Sequence, residues 1–175
     1  MRTKAKRLTT ERLVLKGLED GDEDALLRMA ADDRIKRTYM MPDFADEAQA
    51  DAFFRRLQAL SVSDEHFLYG IYLKDELIGL MNDCEMKGKT VELGYFISSD
   101  RWNHGYAAEA LRAAIDELFR MGYDCVRAGY FEGNAASRRV MEKCGMHPLS
   151  QETAISYRGI NRRCLYCEIK AGKTK

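Results

Sequence analysis

The sequence lacks several features that would decide a function class at once. It has no excess of charge: 28 Lys and Arg stand against 28 Asp and Glu, which argues against a nucleic-acid binder working through a basic face. No apolar run approaches the ~18 residues that a membrane-spanning helix requires, so no membrane partner is expected. The basic start (Arg2, Lys4, Lys6, Arg7) has no apolar stretch behind it and reads as a solvated tail rather than a secretory signal. There are two prolines, Pro42 and Pro148, and no repeat, low-complexity stretch or linker. One domain over residues 1–175, with short basic tails at both ends, is therefore expected. No G-x-G-x-x-G follows the first strand-like segment and no G-K-[ST] occurs, which removes the Rossmann and P-loop readings. Five cysteines, an odd number without an export signal, fit reduced thiols in a cytoplasm. Cys164 and Cys167 form one C-x-x-C without a second Cys or His pair. In a strand their side chains point to opposite faces, so they read as buried small hydrophobes and no metal site is expected.

What is present is an ordinary globular balance, 46% hydrophobic and 32% charged. Arg12 to Lys16 reads as a first strand. Asp22 stands where it could cap a helix carrying Ala25, Leu26, Met29 and Ala30 on one face. Asp46 with Gln49 resembles a capping box ahead of Ala50, Phe53, Phe54, Leu57 and Leu60. Phe67 to Leu73, Leu77 to Met81 and Thr90 to Ile97 read as an antiparallel meander. Ala107, Ala110, Leu111, Ala114, Ile115, Leu118 and Phe119 then recur at helical spacing, with Arg120 in the last turn and Gly122 as the stop. Cys125 to Phe131 reads as a strand and Ala135 to Cys144 as a short helix stopped by Gly145. Ala154 to Tyr157 and Cys164 to Ile169 read as a closing hairpin around Arg158 to Asn161. The helix at 106–121 is a crossover, so the strands on either side of it should be parallel. The expected fold is α+β: a mixed, mostly antiparallel central sheet with helices on both faces.

The most informative segment is Trp102-Asn103-His104-Gly105-Tyr106-Ala107-Ala108-Glu109-Ala110, which joins a strand to the best helix in the chain. A tight loop there leaves backbone N–H groups free at the positive end of the helix dipole, a setting that suits a pyrophosphate. Gly105 lets the backbone approach a ligand and Ala107 keeps the next turn small. With this segment, Thr10-Glu11-Arg12-Leu13-Val14-Leu15, Glu92-Leu93-Gly94-Tyr95-Phe96-Ile97 and Asn134-Ala135-Ala136-Ser137-Arg138-Arg139-Val140-Met141-Glu142-Lys143-Cys144-Gly145-Met146 follow in order. Over nearly its whole length the chain resembles the GNAT superfamily of N-acetyltransferases. It looks most like the RimJ/RimL-like branch, which acetylates ribosomal-protein N-termini.

The resemblance implies acetyl-CoA as co-substrate, with no metal. The family loop reads Q/R-x-x-G-x-G/A, so Trp102, Gly105 and Ala107 take its first, fourth and sixth positions. Tyr106 falls between the last two. Asn103 stands where Gly is usual, and Asn tolerates left-handed backbone better than most residues. His104 is either a solvent-facing loop residue or a phosphate neighbour. By the same resemblance, Phe96 and Ile97 offer main-chain groups to the pantetheine arm, much as an added strand would pair. Asn134 contacts that arm, and Lys143 either reaches the phosphates or is simply solvated.

The chemistry requires a neutral amine nucleophile, a group that takes its proton and a group that protonates the departing thiolate. Glu92 is either that base, directly or through water, or a structural carboxylate on a polar sheet face. Ser137 is either the acid facing the sulfur or a helix-start hydroxyl satisfying a backbone N–H. Tyr130 and Tyr157 are the tyrosines that could replace it. On the acceptor side, residues 17–51 hold eleven Asp and Glu against four Lys and Arg, a local net of −7. That composition either walls a pocket for a cationic amine or basic peptide or merely decorates helix starts. Met40, Met41 and Phe44 form either an adaptable lip or core. The expected partner is a small-molecule amine or a peptide N-terminus, and both a monomer and a homodimer remain open. The alternative function is an acetyl-CoA-binding sensor or scaffold with little catalysis.

Overall fold

The computed structural model describes residues 2–172. Eight strands form one sheet: β1 (Arg7–Thr9), β2 (Leu13–Lys16), β3 (Tyr69–Leu73), β4 (Glu76–Lys87), β5 (Thr90–Ile97), β6 (Cys125–Phe131), β7 (His147–Tyr157) and β8 (Ile160–Lys170). Their spatial order is β1-β2-β3-β4-β5-β6-β8-β7. Every pairing is antiparallel except β5 with β6, which are parallel because α4 (Tyr106–Met121) crosses between them. Three helices lie between β2 and β3: α1 (Glu23–Ala31), α2 (Asp33–Lys36) and α3 (Glu47–Val62). A fifth, α5 (Ala135–Lys143), follows β6.

The pleat divides the core in two. Val91, Leu93 and Ile97 of β5 turn to one face and pack with Ala110, Leu111, Ala114 and Leu118 of α4 and Met141 of α5. Phe96 turns to the other face and packs with Leu26 and Met29 of α1, Ile35 of α2 and Phe54 of α3. The mixed sheet with helices on both faces is thus the architecture observed. Helix α4 begins and ends where its apolar spacing and Gly122 place it. Gly122 has φ 101°, and the Tyr123 N–H closes the last turn on the Leu118 carbonyl at 3.1 Å.

Several local expectations change. The basic start is not a solvated tail: Arg7–Thr9 pairs with β2, and Lys4 is only 8% exposed. The Lys4 ammonium donates to the carbonyls of Ser61 (2.9 Å), His66 (2.8 Å) and Leu68 (3.3 Å), which is what makes its burial tolerable. Asp22 precedes α1, but its carboxylate does not cap that helix. It accepts instead from the Glu19 N–H (2.7 Å) and the Tyr72 hydroxyl (2.5 Å). Asp46 does cap α3, accepting from the Gln49 N–H at 2.9 Å, while Gln49 reaches back to the Ala45 N–H rather than to Asp46. The closing hairpin is longer than expected, and its turn tightens to Arg158–Gly159. Most of β7 is exposed, so the strand lacks the apolar alternation that would announce it. Helix α2 has four residues, too few to show a period.

Among the described residues no helix is long and apolar enough to cross a membrane. No group of three or more His, Cys, Asp or Glu among them could hold a metal ion. Cys164 and Cys167 are both buried free thiols.

Candidate active site

Strands β5 and β6 are paired only from Thr90–Cys125 to Leu93–Ala128. Beyond that they part, and a cavity of about 330 Å3 lies at the opening. Its walls come from the end of β5, the loop entering α4 with its first turn, and one side of α5. Tyr95, Phe96, Ile97, Trp102, Asn103, Gly105, Tyr106, Ala107, Asn134, Ser137 and Lys143 all line it.

The loop has the backbone that its residue types require. Asn103 adopts φ 63° and Gly105 φ 82°, so both left-handed positions fall on residues able to take them. No side chain caps α4, and its first turn opens directly on the cavity. The free N–H groups and the positive helix end therefore face whatever occupies it. The Trp102 indole N–H donates to the Ile97 carbonyl at 2.8 Å and fastens the loop to the end of β5.

The opening motif at Thr10–Leu15 contributes more than a strand. Glu109, in the first turn of α4, accepts from the Thr10 hydroxyl (2.5 Å), the Arg12 N–H (2.8 Å) and the Arg12 Nε (2.7 Å). Arg12 also donates to the His104 carbonyl at 2.9 Å and lies 4.6 Å from the Tyr106 ring. The loop is thus held from outside by a charged pair, and these hydrogen bonds keep the Glu109 carboxyl below its ordinary range despite partial burial. His104 does not line the cavity. Its ring stacks on Tyr106 at 5.6 Å and its Nδ1 lies 2.7 Å from the Trp102 carbonyl.

At the far end of the cavity, the Ser137 N–H donates to Asn134 Oδ1 at 3.2 Å, so Asn134 is the N-cap of α5. The Ser137 hydroxyl bonds no backbone N–H. It lies 3.1 Å from the Tyr95 hydroxyl, and both residues line the cavity. Burial pushes the Tyr95 hydroxyl well above its usual range, which keeps it protonated and able to donate. The other two tyrosines are placed elsewhere. Tyr130 packs in the core on the sheet face that α4 and α5 cover, and the Tyr157 hydroxyl is bound to both the N–H and the carbonyl of Met41 at 3.1 Å. Thr38, Arg101 and Arg139 line the cavity as well, and like Tyr95 they stand in no pattern of the sequence that assigns them a role. Tyr95 is legible only as part of the strand motif Glu92–Ile97, Arg139 only as part of the motif Asn134–Met146, and Arg101 not at all.

Glu92 lies outside the cavity lining. It sits on β5 opposite Glu85 of β4 and Arg127 of β6, on the same face as Gly94 and Phe96. Burial first, then the Glu85 charge, raise its pKa, and Arg127 partly offsets them. Between Glu92 and Phe96, Gly94 has no side chain because the space is filled. A Cβ there would meet Cys84 Sγ at 2.8 Å and the Tyr39 ring at 3.2 Å.

The acidic stretch 17–51 is not a bare anionic wall. Arg55 pairs with Asp20, Glu23 and Asp51. Arg34 pairs with Asp32, Lys16 with Glu19, and Asp43 with both Lys36 and Arg158. Three of these cations, Lys16, Arg55 and Arg158, lie outside the stretch, so its composition alone overstates its field.

A family described as "Acetyltransferase (GNAT) domain" matches residues 12–147. The uncharacterized N-acetyltransferase YoaA of Bacillus subtilis is 29% identical over 143 residues, which cover 79% of this chain and 81% of that protein. A GNAT-family acetyltransferase from Bacillus anthracis superposes with a TM-score of 0.79 at 23% identity, covering 94% of this chain and 98% of its own. RimL, a ribosomal L7/L12 alpha-N-protein acetyltransferase solved with coenzyme A, gives a TM-score of 0.80 at 14% identity over 94% and 97% of the two chains. At such identities the two structures show a common fold, and the match over residues 12–147 shows the family. The chain belongs to the GNAT family and is an acetyltransferase.

Proposed function

We propose that the chain transfers the acetyl group of acetyl-CoA to a primary amine, at a peptide N-terminus in the manner of the RimJ/RimL-like branch. One observation carries the reading: the uncapped start of α4, with left-handed Asn103 and Gly105 before it, and the Ser137–Tyr95 hydroxyl pair line a single cavity. The first feature suits a pyrophosphate and the second a departing sulfur. The co-substrate would supply an activated acyl thioester. Loop 102–107 would hold its phosphates, with Lys143, Arg101 and Arg139 adding positive charge at the rim. The end of β5, past its last pairing with β6, leaves an unpaired edge for the pantetheine arm beside Asn134.

With Tyr95 as the donor of this hydroxyl pair, the serine proton would be left to point at the sulfur as it becomes a thiolate. Glu92 takes the proton of the incoming ammonium at a distance, over a chain of several waters that passes around the filled space at Gly94, since four residues of strand, roughly 13 Å, separate it from Phe96. Its raised pKa suits that role. The test is thiol release with panels of small amines and N-terminal peptides, alongside calorimetry with acetyl-CoA. Acetyl-CoA binding without acceptor-dependent thiol release would favour a sensor instead. Ser137→Ala separates chemistry from structure. The serine hydroxyl caps nothing, so kcat should fall ~10²-fold or more while melting temperature and the KM for acetyl-CoA hold. Loss of stability at normal kcat would refute its role as the acid.

A further inference from the structure

A second cavity of about 90 Å3 lies on the other side of Phe96. Phe96 walls both cavities, and one chain segment completes the partition: Thr38 faces the larger space and Tyr39, Met40 and Met41 the smaller. The rest of the smaller lining is aliphatic and aromatic, with Leu26 from α1, Phe53 and Leu57 from α3, and Leu80 from β4. Its polar groups are the Tyr39 hydroxyl and Asn82, bonded to each other at 2.5 Å. Around it the core is closed, with Leu26 and Phe54 at 0% and Ile35 at 1% exposure, so this is a local gap in an otherwise packed layer. Met40, half exposed, stands at its edge.

The size and place of this gap point to an occupant. At ~10–15 Å3 per water-sized body, it has room for roughly six to nine, the scale of a medium aliphatic side chain. A lining this apolar holds water poorly. If acetyl transfer occurs in the larger cavity, the reacting amine comes to the Phe96–Ser137 end, and the cofactor arm fills the side towards α4 and α5. The group on the carbon bearing the amine then falls across the partition. We propose that the second cavity is the acceptor's side-chain subsite, so that preferred acceptors carry a leucine- or methionine-sized apolar side chain beside the reacting amine.

This inference rests on the acetyl-transfer reading, and the experiment separates the two. Thiol release is measured with glycinamide, alaninamide, leucinamide, methioninamide and tryptophanamide. Binding of glycinamide and leucinamide to the CoA-bound protein is measured by calorimetry. The cavity predicts kcat/KM at least ~10-fold higher for leucinamide and methioninamide than for glycinamide, since one methylene in such a pocket is worth ~10–200-fold, and a decline at tryptophanamide. Leu57→Phe should fill the space and move the preference to glycinamide and alaninamide. Leu57→Ala, which enlarges it, should move the preference towards tryptophanamide and serves if the first variant does not fold. Equal use of glycinamide and leucinamide overturns the subsite and leaves acetyl transfer standing. So does a Leu57→Ala variant that gains on butyryl-CoA rather than on larger acceptors, because the cavity would then house the acyl chain. Leucinamide bound ~10-fold tighter than glycinamide without thiol release overturns acetyl transfer and leaves the subsite. No binding and no release overturns both.

Discussion

The two sides of the partition are built from different materials. The larger cavity takes most of its wall from three short stretches, 95–97, 101–108 and 134–143, and the middle one brings the left-handed backbone of Asn103 and Gly105 and an uncapped helix start. The smaller cavity is closed by segment 37–44, which is held by residues far away in sequence. Tyr157 grips Met41 across 116 positions, Arg162 donates to the Arg37 carbonyl across 125, and Arg158 pairs with Asp43. A backbone site keeps its shape so long as the loop keeps its φ angles. A wall held by side chains from a hairpin tip can change with those side chains. The first therefore suits a co-substrate of fixed shape, and the second an acceptor whose side chain can vary.

The largest expected effect is chemical and comes from a residue that lines neither cavity. Glu92→Gln should lower kcat by ~10²–10⁴-fold, while acetyl-CoA affinity stays the same. The pH dependence has a definite sign. A base must be ionised, and burial and Glu85 raise the Glu92 pKa. Wild-type kcat should thus fall with decreasing pH along a limb displaced upward from the ordinary carboxylate range, and the Gln variant should lose that limb. Stability runs the other way. A carboxyl whose folded pKa is raised costs stability once ionised, a cost that fades as pH drops through that value. At neutral pH the variant should therefore melt no lower than wild type. A near-normal kcat across the pH range would make Glu92 structural and the comparison purely one of binding surfaces.

The next effect confines itself to the cofactor side. Gly105→Glu puts a side chain on a backbone at φ 82°, where its Cβ would stand 3.5 Å from Arg12 Nη2, and brings negative charge to the loop. Juxtaposed like charges cost several kcal/mol, so acetyl-CoA affinity should fall ~10²-fold or more by calorimetry, with the fold retained by circular dichroism. Gly105→Ala carries the strain without the charge and should lose far less. Unchanged affinity in the glutamate variant would remove the loop from the phosphate site.

The same contrast explains what the sequence discloses. Helix α4 and its loop were legible because their determinants are local: a 3.6-residue apolar period, Gly122 as the stop, and Asn103 and Gly105 at the left-handed positions. The parallel pairing of β5 and β6 followed from the crossover alone. The burial of Lys4 was not legible, because its three carbonyl partners lie 57 to 64 residues away and a basic start looks solvated. Nor was the Ser137–Tyr95 pair, formed across 42 residues, or the use of Arg12 to brace the loop. The acidic stretch misled because charge counted along the chain ignores cations arriving from elsewhere, Arg55 above all.

The smallest expected effect tests whether the acceptor wall depends on its distant grip. The Tyr157 hydroxyl donates to the Met41 carbonyl and accepts from the Met41 N–H, both at 3.1 Å, while its ring stacks with Phe131 at 6.2 Å. Tyr157→Phe keeps the ring and removes only the hydroxyl. Two backbone groups of a segment that lines the smaller cavity then lose their partner, a loss on the order of 1–3 kcal/mol for buried groups and less where water reaches them. Arg162 and Arg158 still hold their own contacts, so the segment should loosen rather than detach. KM for the best acceptor should rise about five- to tenfold, with kcat at saturation and acetyl-CoA affinity close to wild type. A rise in acetyl-CoA Kd of similar size would mean that the partition transmits strain from one cavity to the other. No change in either constant would mean that the ion pairs alone position the wall, and removing Arg158 as well should then expose the missing effect.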